Sequence, residues 1–191
     1  MMQDTTEAIS QLRAGNVILT PTDTLWGLSC DATRDDAVQK VIDIKQRSPS
    51  KSFIVLVHSL DMMGLYIQSF PNFAVDLIEF SQTPMTVIFP HGVKLSRHVI
   101  NEDGSVAIRL VKPINEEAKF CVELIRKFNK PLLSTSINIS GEPAPRLFSE
   151  IQEEIKAKVD YVVPYFQNNN EAKSASKIIK LNDDGTFKVI R

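Results

Sequence analysis

Apolar positions along the chain recur at two spacings, and the alternation between them lays out the fold. After Asp35, the residues Val38, Val41, Ile42 and Lys45 fall at helical spacing. From Glu116 to Phe128, Ala118, Cys121, Val122 and Ile125 share one side of a longer helix capped by Asn115. Asp4 followed by Glu7 reads as a capping box, with Gly15 stopping the helix it opens. Short helices are predicted over Leu60 to Ile67 and Phe73 to Phe80, separated by Pro71, and another over about Phe148 to Val159. Strands are predicted at Val17 to Thr20, Met85 to Phe89, Val106 to Val111 and Leu132 to Ser136. The unbroken apolar run Phe53 to Val57 suggests a strand buried on both faces. Lys177 to Leu181 and Thr186 to Ile190 form a hairpin about the turn Asn182 to Gly185. Asn138 to Arg146 is a polar loop, and Asn168 to Asn170 reads as a mobile one. Interspersed helices and strands give an α/β or α+β class with a mixed sheet, in a single domain spanning 1–191 without repeat or linker.

Composition narrows the classes. With 191 residues, 43% hydrophobic, 24% charged and a net charge of −1, the chain is neither disordered nor fibrous, and its whole surface is no anion trap. A local basic groove stays open. Cys30 and Cys121 are too far apart for a CxxC pair or a zinc spacing, and each lies in apolar company. The polar start at Met1-Met2-Gln3-Asp4 does not resemble a signal peptide, and no apolar run is long enough to cross a bilayer, so the expected compartment is the cytoplasm, with no membrane partner.

Common catalytic signatures are missing. There is no GxxxxGK(S/T) loop, no GxGxxG, no GxSxG elbow, and no HxxxH or HExxH spacing among His58, His91 and His98. A nucleotide site would have to be assembled from scattered side chains at strand ends, with no metal ligands of its own.

Four polar clusters occupy such ends. Pro21-Thr22-Asp23-Thr24-Leu25-Trp26-Gly27-Leu28 combines hydroxyls, a carboxylate and the only tryptophan; turn chemistry with Trp26 as a core plug explains it as well as a site does. Lys45-Gln46-Arg47, continuing to Lys51, offsets a helix dipole or forms a fork for phosphate or carboxylate. Arg109, inside an apolar strand, either points to solvent or faces a cleft that holds an acidic substrate. Ser134, Ser136 and Asn138 alternate onto one face, a set of small donors suited to phosphate and sugar oxygens.

Taken together, these segments resemble the YrdC-like family of threonylcarbamoyl-AMP synthases. Its members carry PT(E/D)TxYGL, KxR, a strand with an arginine, SxNxSGxPSP and a late ST(I/V)(I/V) strand followed by an arginine. The counterparts here are Pro21 to Leu28, Lys45-Gln46-Arg47, Ser105 to Arg109, Ser136 to Pro145, and Ser176 to Ile179 with Arg191, in the family's order from about position 5 onward. Departures from the pattern are Trp26 for tyrosine, Ala144 for serine, Lys177 for threonine, Leu56 for a histidine, and the missing glycine before Pro84-Met85-Thr86.

The resemblance implies a twisted mixed sheet flanked by helices around an open basic cavity. It implies formation of threonylcarbamoyl-AMP and pyrophosphate from L-threonine, bicarbonate and ATP carried with Mg²⁺, feeding the t6A modification of tRNA. By matching motifs, L-threonine would meet Thr24, Arg109, Ser134 and Ser176. ATP would meet Arg47, Lys51, Ser105, Ser136, Asn138 and Arg191, with Lys45 and Arg47 as the catalytic cations. Downstream t6A transferase proteins are expected partners, with a tRNA or double-stranded RNA contact beside them. The competing readings are a non-catalytic RNA-binding module, against which the neutral charge and few aromatics count, and a carbamoyl-transfer paralogue.

Overall fold

Helix α1 (Thr6–Arg13) starts where the Asp4 carboxylate accepts hydrogen bonds from the Thr6 N–H and hydroxyl, at 2.9 and 2.6 Å. Thr5 is the capping residue and makes no side-chain capping bond, so the expected box with Glu7 does not form. Gly15, at φ +78°, supplies the left-handed turn that ends the helix region. The computed structural model describes residues 3–46, 52–69, 71–138, 144–169, 171, 175–182 and 184–191.

The chain continues through β1 (Ile18–Thr20), β2 (Gly27–Asp31), α2 (Asp35–Lys45), β3 (Ile54–Val57), α3 (Leu60–Gly64), α4 (Asn72–Phe80), β4 (Met85–Phe89) and β5 (Val106–Leu110). After these come α5 (Glu116–Phe128), β6 (Leu132–Ser136), a 3₁₀ turn (Phe148–Glu150), α6 (Glu153–Lys156), β7 (Tyr161–Val162), β8 (Lys177–Leu181) and β9 (Phe187–Val189). Among the described residues the strands form one mixed sheet in the order β7-β1-β2-β6-β3-β5-β4-β8-β9. Three pairs are parallel (β1/β7, β3/β5, β4/β8) and the other five antiparallel, as expected of the mixed class.

Local chemistry sets the helices that cover the sheet. Asn115 accepts from the Ala118 N–H at 2.8 Å to open α5, and Asn129, at φ +59°, closes it. Between them Ala118, Cys121, Leu124 and Ile125 are fully buried. Helix α2 packs on β2, α3 on β3 and β5, and α5 on β3. The core runs through Leu12, Leu19, Leu28, Leu56, Ile108 and Leu132, each fully buried side chain contributing about 1.5–3 kcal/mol.

One expectation needs correction, and two strands are additions to the sequence reading. Phe148 to Val159 is not one helix: Ile151 is extended and buried, and it separates the 3₁₀ turn from α6. Gly27–Asp31 is a strand buried at all five positions, hidden in the sequence by its small and polar residues. Tyr161–Val162, two residues long, is too short for any periodic signal. The Asn168 to Asn170 loop lies partly outside the described residues, and no helix in the described part is long and apolar enough to cross a membrane.

Candidate functional site

Strand alternation and register gather the polar clusters. Ile54 of β3 lies beside both Ala107 of β5 and Ser134 of β6, while Gly27 of β2 lies beside Ser136. On β5, Ala107 and Arg109 point the same way, as do Thr86 and Ile88 on β4 and Ser134 and Ser136 on β6. All six line one cavity of about 310 Å³ with Thr22, Thr24, Trp26, Ser52, Ser176 and Arg191. Residues separated by up to 169 positions in the sequence thus share one hollow.

The loop after β1 supplies one wall. The Thr22 hydroxyl donates to the Leu25 carbonyl at 2.8 Å and accepts from the Thr24 N–H at 3.1 Å. Its single proton is thereby used, so in the 3.1 Å contact between the two hydroxyls Thr24 is the donor. The remaining lone pairs of Thr24 are available as acceptors on the cavity wall. Trp26 is both the core plug and a wall: it is buried, yet lines the cavity, and its ring lies 4.7 Å from that of Phe148. Lys156 Nζ sits 4.6 Å from the centre of the Phe148 ring and braces the stack.

Arg109 does not point to solvent. It is 4% exposed, and its guanidinium Nη2 lies 3.2 Å from Oδ1 of Asp23, itself 5% exposed. The buried Cys121 thiol sits within electrostatic reach of this pair; burial first, and the Asp23 charge second, push its pKa up, so it is inert as a nucleophile. Cys30 is likewise pushed up, chiefly by burial.

On the opposite side, α2 ends at Lys45, and Gln46 in the left-handed conformation turns the chain away. The Lys45 side chain is 3% exposed and donates to the Ser136 carbonyl and to Asn138 Oδ1, the latter at 3.3 Å. The Ser136 hydroxyl also donates to Asn138 Oδ1, at 2.5 Å. Lys45 therefore clasps the turn after β6 and stands behind the cavity lining. Asn138 lines an adjoining cavity of about 380 Å³, with Ile137, Pro145, Arg146, Gln152 and Ile155; the two hollows share Ala144.

The far wall is β4 and β8. Thr86 and Ser176, both buried, share a hydroxyl–hydroxyl hydrogen bond of 2.8 Å. The Arg191 Nε–H donates to the Ser176 carbonyl at 3.1 Å, which folds the side chain to the cavity rim.

Of the residues singled out in the sequence, Thr24, Arg109, Ser134, Ser136, Ser176 and Arg191 come together in the cavity. Ser105 does not line it. Its hydroxyl donates to Asp103 at 2.5 Å and accepts from Asn101, which in turn accepts from Ser52 at the rim. Arg47 and Lys51, with 139–143 of the loop after Asn138, lie outside the described residues. Sequence reasoning missed the pairing of Asp23 and the place of Thr86; the latter had a signal, as the lone hydroxyl in Met85–Phe89. Among the described residues no three His, Cys, Asp or Glu side chains are grouped to hold a metal ion.

Residues 10–191 match the family model Sua5_yciO_yrdC, described as telomere recombination. The chain is 28% identical over 193 residues to the threonylcarbamoyl-AMP synthase of Vibrio parahaemolyticus, covering 100% of this chain and 99% of that protein. E. coli YciO superposes with a TM-score of 0.80 at 23% identity, over 98% of this chain and 87% of that one. A structure of P. abyssi Sua5 complexed with L-threonine gives a TM-score of 0.77 at 24% identity over 93% of this chain; the match spans 50% of that longer chain. The mixed sheet, its flanking helices and the near full-length match agree: the chain belongs to the Sua5/YciO/YrdC family.

Proposed function

We propose that this protein is a threonylcarbamoyl-AMP synthase, joining L-threonine, bicarbonate and ATP into threonylcarbamoyl-AMP with release of pyrophosphate and water. The observation that carries the reading is the shared cavity. A buried guanidinium (Arg109) and hydroxyls from four segments (Thr24, Thr86, Ser134 and Ser176) line it together with Ser136 at the end of β6. That array suits an amino acid on one side and a nucleotide on the other. The near full-length likeness to a protein named for this activity supports it.

In this reading Arg109 takes the threonine carboxylate and Thr24 Oγ1 accepts from the amino group, with Ser134 and Ser176 completing the amino-acid end. The amine nitrogen bonds to the bicarbonate carbon, with loss of water, to give the carbamate. A carbamate oxygen then attacks the α-phosphorus of ATP, and pyrophosphate leaves. ATP enters as its magnesium complex and is held by Arg47, Lys51, Ser136, Asn138 and Arg191, while Lys45 keeps the Ser136 turn in place. The adjoining hollow at Asn138 and Pro145 gives the nucleotide room to extend. Three anions must approach one another, so the cavity would be electropositive when Arg47 and Lys51 are counted; rate enhancement comes from positioning and charge stabilisation. The product would pass to the t6A transferase proteins that modify tRNA in the cytoplasm.

The test is direct. Purified protein is incubated with ATP, Mg²⁺, bicarbonate and labelled L-threonine, and pyrophosphate and the acyl-adenylate are measured. Threonine-dependent turnover is expected, with a loss of at least about 10²-fold for Arg47→Ala. Absence of threonine-dependent pyrophosphate, with salt-sensitive retention of RNA in its place, overturns the reading.

A further inference from the structure

The Asp23–Arg109 pair contains more than charge neutralisation. Both side chains are almost wholly enclosed, at 2% and 5% exposure, and the contact joins the loop after β1 to the middle of β5. Asp23 is absent from the lining of the main cavity; it borders instead a separate small hollow, with Thr83, Met85, Leu110 and Ile114. Arg109 does line the cavity, and its Nε–H is buried without a hydrogen-bond partner among the described residues. One end of the guanidinium is therefore anchored by a carboxylate outside the cavity lining, while the arginine itself borders the cavity.

An unanchored arginine on a strand has four flexible torsions and places its planar donor fork in many orientations. A carboxylate held at one Nη removes most of that freedom before a ligand arrives. The buried cation is also compensated by an anion that the ligand does not contact, so emptying the cavity leaves no isolated charge. Thr24 follows Asp23 directly, so the same contact fixes the loop whose hydroxyl faces the cavity.

We propose that Asp23 is the positioning residue for ligand carboxylate recognition: from outside the cavity lining it sets the guanidinium plane of Arg109, and with it the selectivity for an amino acid bearing a free α-carboxylate. The inference rests on the amino-acid reading of the cavity given above, and it concerns a residue that does not itself touch the substrate.

The experiment has two arms. In the first, needing no substrate, ¹⁵N-arginine protein is examined by NMR, with the Arg109 signals assigned by their loss in Arg109→Lys. Restricted rotation gives resolved Nη resonances in the wild type, and Asp23→Asn merges them. Resonances that stay resolved in Asp23→Asn overturn the proposal. In the second arm, KM and kcat are measured for L-threonine, L-threoninamide and ATP. Asp23→Asn is expected to raise the threonine KM about 10-fold or more and to shrink the preference for threonine over its amide by a similar factor, with the ATP KM within about two-fold of wild type. Equal losses for threonine, amide and ATP, accompanied by a lower melting temperature, assign Asp23 a purely structural role and overturn the proposal. Should Asp23→Asn not fold, Asp23→Glu serves both arms: the carboxylate is kept but displaced by one methylene, so altered Arg109 signals and a selective rise in threonine KM support positioning, and wild-type values in both overturn it. A wild type without threonine turnover removes the functional reading, while the NMR arm still decides whether Asp23 orients Arg109.

Discussion

Gly27 pairs with Ser136 across β2 and β6, yet its closest approach is diagonal, to Ser134: a Cβ built on Gly27 would lie 2.5 Å from the Ser134 hydroxyl oxygen. The glycine is required by this close approach. Gly27→Ala is expected to push the Ser134 hydroxyl out of its place in the cavity, at about 1–3 kcal/mol of stability. The threonine KM should rise several-fold while the ATP KM changes little. Urea unfolding and steady-state kinetics check both parts.

Lys45→Met keeps the length of the side chain and removes the donor to Ser136 and Asn138. The Ser136 carbonyl then loses a charged partner at about 1–3 kcal/mol, measurable by chemical denaturation. Since the loosened turn belongs to the nucleotide side, the ATP KM is expected to rise more than the threonine KM. A pure loss of kcat would instead put the ammonium on the reacting atoms.

Thr86→Val deletes one member of a buried hydroxyl pair and leaves Ser176 without that partner. The cost is about 1–3 kcal/mol, and Ser176→Ala is expected to cost a similar amount. The double variant should lose clearly less than the sum, because neither hydroxyl is then stranded. A thermodynamic cycle by urea denaturation reads this coupling.

Asp103 accepts from the Ser105 hydroxyl and N–H and from Lys180, and these bonds hold its carboxyl down at about 2. In the unfolded chain it returns to about 3.9, so the unfolded state binds the proton more tightly. Its contribution is complete above about pH 4 and fades as the pH falls toward 2. Asp103→Asn is expected to flatten the stability profile over that interval and leave its slope between pH 6 and 8 unchanged, as followed by melting temperature against pH.

What could be read from the chain was local. The alternation of Ser134 and Ser136, the apolar run at Phe53 to Val57 and the Asn115 cap each depend on neighbours a few residues apart, and each appears as expected. Arg109 was undecided because the deciding partner, Asp23, lies in another loop and no periodicity links them. The strand Gly27–Asp31 carries no apolar alternation, because Gly27 answers to the close approach of Ser134 on β6, a tertiary demand. The helix expected from Phe148 onward breaks at Ile151, which inserts into the core, a choice made by packing against propensity. For Ser105, matching motifs name a strand-end hydroxyl, but in the fold that side chain is occupied by Asp103 and Asn101.

The placement of β8 between β4 and β9 has a consequence for biosynthesis. The strand carrying the Ser176 end of the hollow docks in parallel against a segment some ninety residues earlier in the chain. A nascent chain can organise β1 to β6 beforehand, but the substrate chamber has no far side until that late insertion. The far wall therefore closes only once β8 has been made, and the exposed edge of β4 is the surface a chaperone would need to shield until then.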